Sequence, residues 1–206
     1  MARTQAPEFE ERRERIVERA AALYAERGFL GASIADLAEI CNTSKSLIYH
    51  YYASKEDILF EVMHSHVRAL LDGAEAITAK REGPYDRLTD ITRTFISLYV
   101  GAAARHKVLL NELKHLPPER RTIIIGIQRR LIEIVEDIIV EIQPSLAKPS
   151  PLARPAAMLY FGMINWTHTW MDPRGRATPE GIADLAIGIF LDGIRPGRTE
   201  VLVEHA

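Results

Sequence analysis

Apolar residues recur three and four positions apart along nearly the whole chain, and nowhere do they settle into the strict alternation of a half-buried strand. From Pro7 to Arg27, Phe9, Ile16, Val17, Ala20, Leu23 and Tyr24 form one face of a helix that Gly28 is placed to stop. The rhythm then shortens. Ser33 with Asp36 three positions on has the form of a capping box, and Ile34, Leu37, Ala38 and Cys41 continue as a stripe. Asn42 is the non-glycine residue best suited to a left-handed helix end. Thr43 and Ser44 offer a fresh cap for a helix over Lys45–Tyr51, with Leu47 and Ile48 inward and Lys45, Ser46, Tyr49, His50 and Tyr51 mostly outward. Ser54 caps a fourth helix, with Lys55 at its start, that runs to about Lys80.

Helices continue beyond the break at Glu82-Gly83-Pro84. The spacing predicts one from Tyr85 to about Arg105, a short one from Lys107 to Leu116 stopped by Pro117-Pro118, and a third over Glu119–Gln143. Ile123-Ile124-Ile125 is β-prone alone, but the three-four repeat around it outweighs that. Gln143–Pro155 holds four prolines and is expected to be a loop. Pro155 to about Met171 is nearly uncharged, which calls for burial on most faces. Thr178 caps a last helix with Pro179 at its first position and Ile182, Leu185, Ala186, Ile189, Phe190 and Gly193 on its apolar face. The last two helices carry more apolar surface than a monomer's edge tolerates, so they are expected to form a homodimer interface. The expected fold is all-α: a three-helix helix-turn-helix domain over residues 1–53, and a larger helical ligand-binding and dimerisation domain over 54–206.

Two short helices joined by a tight turn, the second loaded with groups suited to a DNA groove, outline a helix-turn-helix. The candidate DNA-binding residues are Ser33, Thr43, Ser44, Lys45, Ser46, Tyr49, His50, Tyr51 and Lys55. Tyr49 and Lys55 suit phosphates, whereas Lys45, Ser46 and His50 suit base edges. A net charge of −2 is not the usual footprint of a nucleic-acid binder. Placement offsets the sum. Between Glu39 and Glu56 the only formal charges are Lys45 and Lys55, both near helix N-termini, and Arg3 could reach a groove as an arm.

Ser-Ile-x-Asp-Leu-Ala from Ser33, followed by Ser-Lys-x-x-Ile-Tyr-x-Tyr-Tyr-x-Ser-Lys-Glu from Ser44, resembles the DNA-binding domain of TetR-type (TetR/AcrR) transcriptional regulators. Ala20 to Phe29 is similar to the end of that family's first helix and its glycine stop. Asn42 and Thr43 stand where the family usually has Gly-Val, Ser46 where Gly is common, and Tyr52 where Phe is usual. The resemblance implies a dimeric, ligand-responsive repressor on a palindromic double-stranded operator.

Other chemistry is thinly supported. The seven histidines form no His-Glu-x-x-His, and neither a Gly-x-Ser-x-Gly nor a glycine-rich phosphate loop appears, so neither an enzyme nor a metal or cofactor site is expected. No window approaches a membrane span, and the single cysteine, Cys41, suits a cytoplasmic protein. Phe95, Tyr99, Asn111, Phe161, Asn165, Trp166, His168 and Trp170 place rings and a few polar groups on mostly buried helices, the composition of a small-molecule site. Any one of them taken singly is better read as filling core or dimer interface; as a set they suggest a pocket. The run Phe161 to Trp170 and the segment after it resemble TetR-type regulators of fatty-acid, steroid or aromatic-acid breakdown, many of which answer to acyl-coenzyme A thioesters. Such an effector needs cations, for which Arg120, Arg121, Arg129 and Arg130 are candidates, with Arg105 and Lys107 nearby in sequence. A lipophilic aromatic effector would need none of them.

Overall fold

The computed structural model describes residues 5–147, 151–172 and 175–195, which are helical and without strands. The helices are α1 (Gln5–Gly31), α2 (Ile34–Ile40), α3 (Lys45–Tyr51), α4 (Lys55–Thr78), α5 (Pro84–Gly101), α6 (Ala103–Asn111), α7 (Pro118–Ile142), α8 (Ala153–Asn165) and α9 (Pro179–Gly193). Short 3-10 turns occupy Leu113–His115, Pro144–Leu146 and Trp166–Thr169.

The chain forms two compact units, each made of two segments. The first holds residues 1–68 and 102–125, the second 69–101 and 126–206. This division does not fall at residue 53, because α6 packs along α1 and completes the first unit. Both α4 and α7 begin in the first unit and end in the second.

Within the first unit, α2 and α3 are seven residues each, too short to persist alone in water. Packing and caps hold them. Leu37 and Ile48 are fully buried against a core that includes Ile16, Val17, Ala20, Leu23 and Tyr24 of α1 and Ile58 and Leu59 of α4. Burial of one such aliphatic side chain contributes roughly 1.5–3 kcal/mol. Gly28 was expected to end α1; instead it interrupts the helix at φ 72°, ψ 160°, and one more turn follows. The interruption frees the Phe29 N–H, which donates to Glu112 Oε2 at 3.3 Å. Phe9, expected on the buried face of α1, lies at the surface instead, its ring 4.6 Å from that of Tyr51. It sits two turns before Ile16, where the nearest rings are those of His50 and Tyr51 on α3.

In the second unit α5 packs on α9, and α8 on α9. Leu88, Ile91, Phe95 and Ile96 are fully buried, and Thr92 Oγ1 lies 2.8 Å from the Tyr160 hydroxyl. The helix expected over 85–105 stops at Gly101, and α6 starts at Ala103, four residues before the expected Lys107. Only Ala102, at φ −129°, ψ 42°, departs from helical geometry, and an alanine carries no breaking signal. Pro155 was expected to close a loop but lies in the first turn of α8, where its missing N–H has no partner to lose.

Candidate nucleic-acid interface

Local hydrogen bonds fix both helices of the motif. Ser33 Oγ accepts the Asp36 N–H at 3.1 Å, and Asp36 Oδ2 accepts the Ser33 N–H at 2.8 Å, the reciprocal capping box that starts α2. The Ser33 hydroxyl also donates to Asp36, which holds that carboxyl below the usual carboxylate range. Asn42 takes the left-handed conformation (φ 49°), so the chain turns sharply between α2 and α3. Ser44 Oγ then accepts the Leu47 N–H at 3.2 Å and caps α3.

On α3, Lys45, Ser46, Tyr49 and His50 are exposed, Tyr49 at 52%. Ile48 anchors the opposite face. Tyr51 is half-buried, its ring in a cluster with those of Phe9 and His50. Ser33 and Ser44 are exposed but already used as caps, and Thr43 is half-buried in the turn. Arg3, the expected arm, lies outside the described residues.

Lys55 occupies the first position of α4, as its sequence implies, but its ammonium has a partner. It donates to the Phe29 carbonyl and lies 4.0 Å from the centre of the Phe29 ring. Burial holds its pKa below the ordinary lysine value. A phosphate at this helix start would compete with, or share, that ammonium.

The expected effector residues do not all come together. Phe95 stacks on Tyr99 at 6.2 Å and on Phe161 at 6.1 Å, deep in the second unit. Burial pushes the Tyr99 and Tyr160 hydroxyls well above the ordinary phenol range. The His168 Nδ1–H donates to the Asn165 carbonyl at 2.7 Å. Asn111 belongs to the first unit, is exposed, and spends its amide on the Lys107 carbonyl at 2.8 Å. Trp166 and Trp170, expected within a buried helix, are 65% and 55% exposed. The α-helix ends at Asn165, and in the 3-10 turn after it Thr167 stays buried while Trp166 faces out. Thr167 Oγ1 bonded to the Ile164 carbonyl and Thr169 Oγ1 bonded to that of Trp166 hold that turn.

Sequence reading missed a buried pair. His66 of α4 and His106 of α6 meet in the first unit, forty residues apart, and no spacing rule links them. Among the described residues no group of three metal-ligating side chains is assembled, and no helix is long and apolar enough to cross a membrane.

Residues 16–62 match the bacterial regulatory proteins of the tetR family, and residues 81–194, more than half of the chain, match the tetracyclin repressor-like C-terminal domain. A solved TetR-family transcriptional regulator from Bordetella parapertussis 12822 is 38% identical, with 87% of this chain and 94% of that one covered at a TM-score of 0.84. AibR, solved in complex with isovaleryl coenzyme A and operator DNA, is 28% identical over 86% of this chain and 97% of its own, with a TM-score of 0.75. The fatty acid metabolism regulator protein of Bacillus subtilis (strain 168) is 25% identical over 87% of this chain and 93% of its own length. Proteins of this kind regulate transcription and are not enzymes. With its capped pair of short helices and both halves matched, the chain belongs to the TetR family of bacterial transcriptional regulators.

Proposed function

We propose that this regulator is a cytoplasmic homodimeric repressor that leaves a palindromic operator when a hydrophobic effector binds. The observation that carries the reading is the outward row of Lys45, Ser46, Tyr49 and His50 on α3, a helix whose start Ser44 fixes and whose back Ile48 buries. In this reading residues 1–53, with Lys55 at the start of α4, contact DNA, and the rest of 54–206 binds effector and partner. Tyr49, Tyr51, Thr43, Ser33 and Lys55 set the position on the backbone, while Lys45, Ser46 and His50 read bases.

Two features support the dimer. Met158 and Leu159 of α8, Trp166 and Trp170 after it, and Leu185 and Ile189 of α9 are all exposed apolar side chains on helices that pack on one another. A two-fold pair also places two recognition helices about 34–36 Å apart, or a multiple of that. Selection from random double-stranded oligonucleotides tests the reading. Enrichment of a palindrome with that half-site spacing is expected; no enrichment over bulk DNA would overturn it.

For the effector, the Phe95–Tyr99–Phe161 stack supports an acyl or aryl group, with Asn165 and His168 as candidates for its carbonyl. The isovaleryl coenzyme A held by AibR favours a thioester. Of the candidate cations, Arg120 is paired with Asp57, Arg130 with Glu133 and Arg105 with Glu14, whereas no ion pair among the described residues engages Arg121 or Arg129. That commitment of three arginines favours the second reading, an uncharged lipophile. Titrating operator-bound protein with free acids, their coenzyme A thioesters and neutral aromatics decides between them. Release by thioesters alone, lost in Arg121→Ala/Arg129→Ala, supports the first; release by neutral compounds alone supports the second.

A further inference from the structure

Charge on α1 is sorted by face. Arg12, Arg15 and Arg19 follow an i, i+3, i+7 spacing, which confines them to roughly 60° of arc at about 100° per residue. Between Arg12 and Arg19 no acid shares that stripe. Glu10, Glu11, Glu14 and Glu18 gather on the other flank, and of the three arginines Arg15 also lines the surface groove that they form. All three arginines are exposed, and no ion pair among the described residues takes up any of them.

The arginine stripe is one wall of a groove of about 460 Å³. The facing wall is the helix-turn-helix itself: Asn42 and Thr43 of the turn and Tyr51 of α3. Cys41 lies in the same groove; burial raises its thiol pKa, and the charges of Arg19 and Arg15 pull it back. Those two guanidinium fields therefore reach the turn.

We infer that this groove is a clamp for the DNA backbone, in which Arg12, Arg15 and Arg19 hold phosphates beside the bases that α3 faces. The inference rests on the operator-binding reading and extends it to a helix outside the motif. The groove is continuous with α3 through Tyr51, so a strand that meets Tyr49 and His50 has the arginines beside it. Seven residues of helix rise about 10 Å, the axial length of about three nucleotides of one strand. Three evenly spaced, unpaired guanidiniums on an open groove fit a polyanion better than one isolated phosphate, and arginine matches phosphate oxygens two at a time. The stripe also answers the weak formal charge of the motif, in which only Lys45 and Lys55 are basic between Glu39 and Glu56.

The test is the salt dependence of binding to an operator obtained by selection, measured by fluorescence anisotropy on the full chain. Each neutralised phosphate adds about 0.9 to the log–log slope. The dimer carries the stripe twice, so Arg12→Gln/Arg15→Gln/Arg19→Gln should flatten the slope by about 5.4, and its affinity should fall about 1,800-fold less than the wild type's between roughly 50 and 200 mM salt. Nonspecific DNA should show the same flattening, because backbone contacts carry no sequence information. The triple Arg→Lys variant should keep the slope, and Glu11→Gln/Glu18→Gln should not lower it. Far-ultraviolet circular dichroism checks that the glutamine variant is folded; if it is not, the single variants Arg12→Gln and Arg19→Gln should each remove about 1.8, one contact per protomer. A folded triple variant with the wild-type slope overturns the clamp and leaves the operator reading standing. A wild type that selects no operator removes that reading first.

Discussion

His66 Nε2 lies 3.1 Å from His106 Nδ1, with both rings buried between α4 and α6. When both imidazoles are neutral, one ring donates to the other, and protonating the accepting ring removes that bond. Burial, helped by the nearby charge of Arg105, lowers the His66 pKa from 6.5 to about 4. Between those values the unfolded chain binds a proton that the folded chain refuses. Stability therefore rises with pH through this window: it is complete above 6.5 and lost as pH falls toward 4. The span corresponds to about 3 kcal/mol. Urea unfolding at half-unit pH steps should show the slope, and His66→Gln should flatten it.

Lys45 and Lys55 should separate in two measurements. Lys45→Ala removes an exposed side chain set on a base edge, so sequence preference should relax at one position of each half-site, with no change in melting temperature. Lys55→Ala removes a phosphate contact from each protomer, which should lower the salt slope by about 1.8, and takes the ammonium from the carbonyl and ring of Phe29, which should cost about 1 kcal/mol of stability. An unaltered melting temperature in Lys55→Ala would show that the Phe29 contact contributes nothing to folding.

Because α4 begins beside the recognition helix and ends in the second unit, an effector bound there can act through it. A coupling of about 1–3 kcal/mol suffices for release. Operator must then weaken effector binding by the same factor, roughly 5- to 150-fold. Calorimetric titration with and without saturating operator measures both sides of the cycle. Equal affinities would remove the coupling.

Leu159 and Leu185 are 74% and 61% exposed on α8 and α9. Leu159→Asp/Leu185→Asp should sediment as a monomer and retain its helical content. Its operator affinity should drop by about a hundredfold or more, since the second half-site no longer binds as one linked event. A dimer that survives both aspartates would place the interface elsewhere.

The motif was legible because its signals are local. Ser33 with Asp36, Asn42, and Ser44 each act within a few residues, and each makes the bond or takes the backbone angle that its chemistry implies. The break at Ala102 was not read, since the one signal there, Gly101, is followed by three alanines that favour continuing the helix. Trp166 and Trp170 misled for a different reason: apolar character says bury, but the α-helix ends at Asn165 and both rings lie exposed on the segment after it. The His66–His106 contact and the groove beside Arg12, Arg15 and Arg19 depend on which helix lies against which, and periodicity within one helix carries no such information.

The first unit is built from two stretches of chain separated by 33 residues, 69–101, that belong to the other. Modularity is therefore limited in a specific way. A head cut after residue 53 would leave α1 without α6, Arg105 without its partner Glu14, and the Phe29 amide without Glu112. Chimaeras that swap operator preference should transplant the α3 surface alone, or carry residues 102–125 along with the head. Drift in α6 that leaves every base contact intact can still unseat the recognition helix.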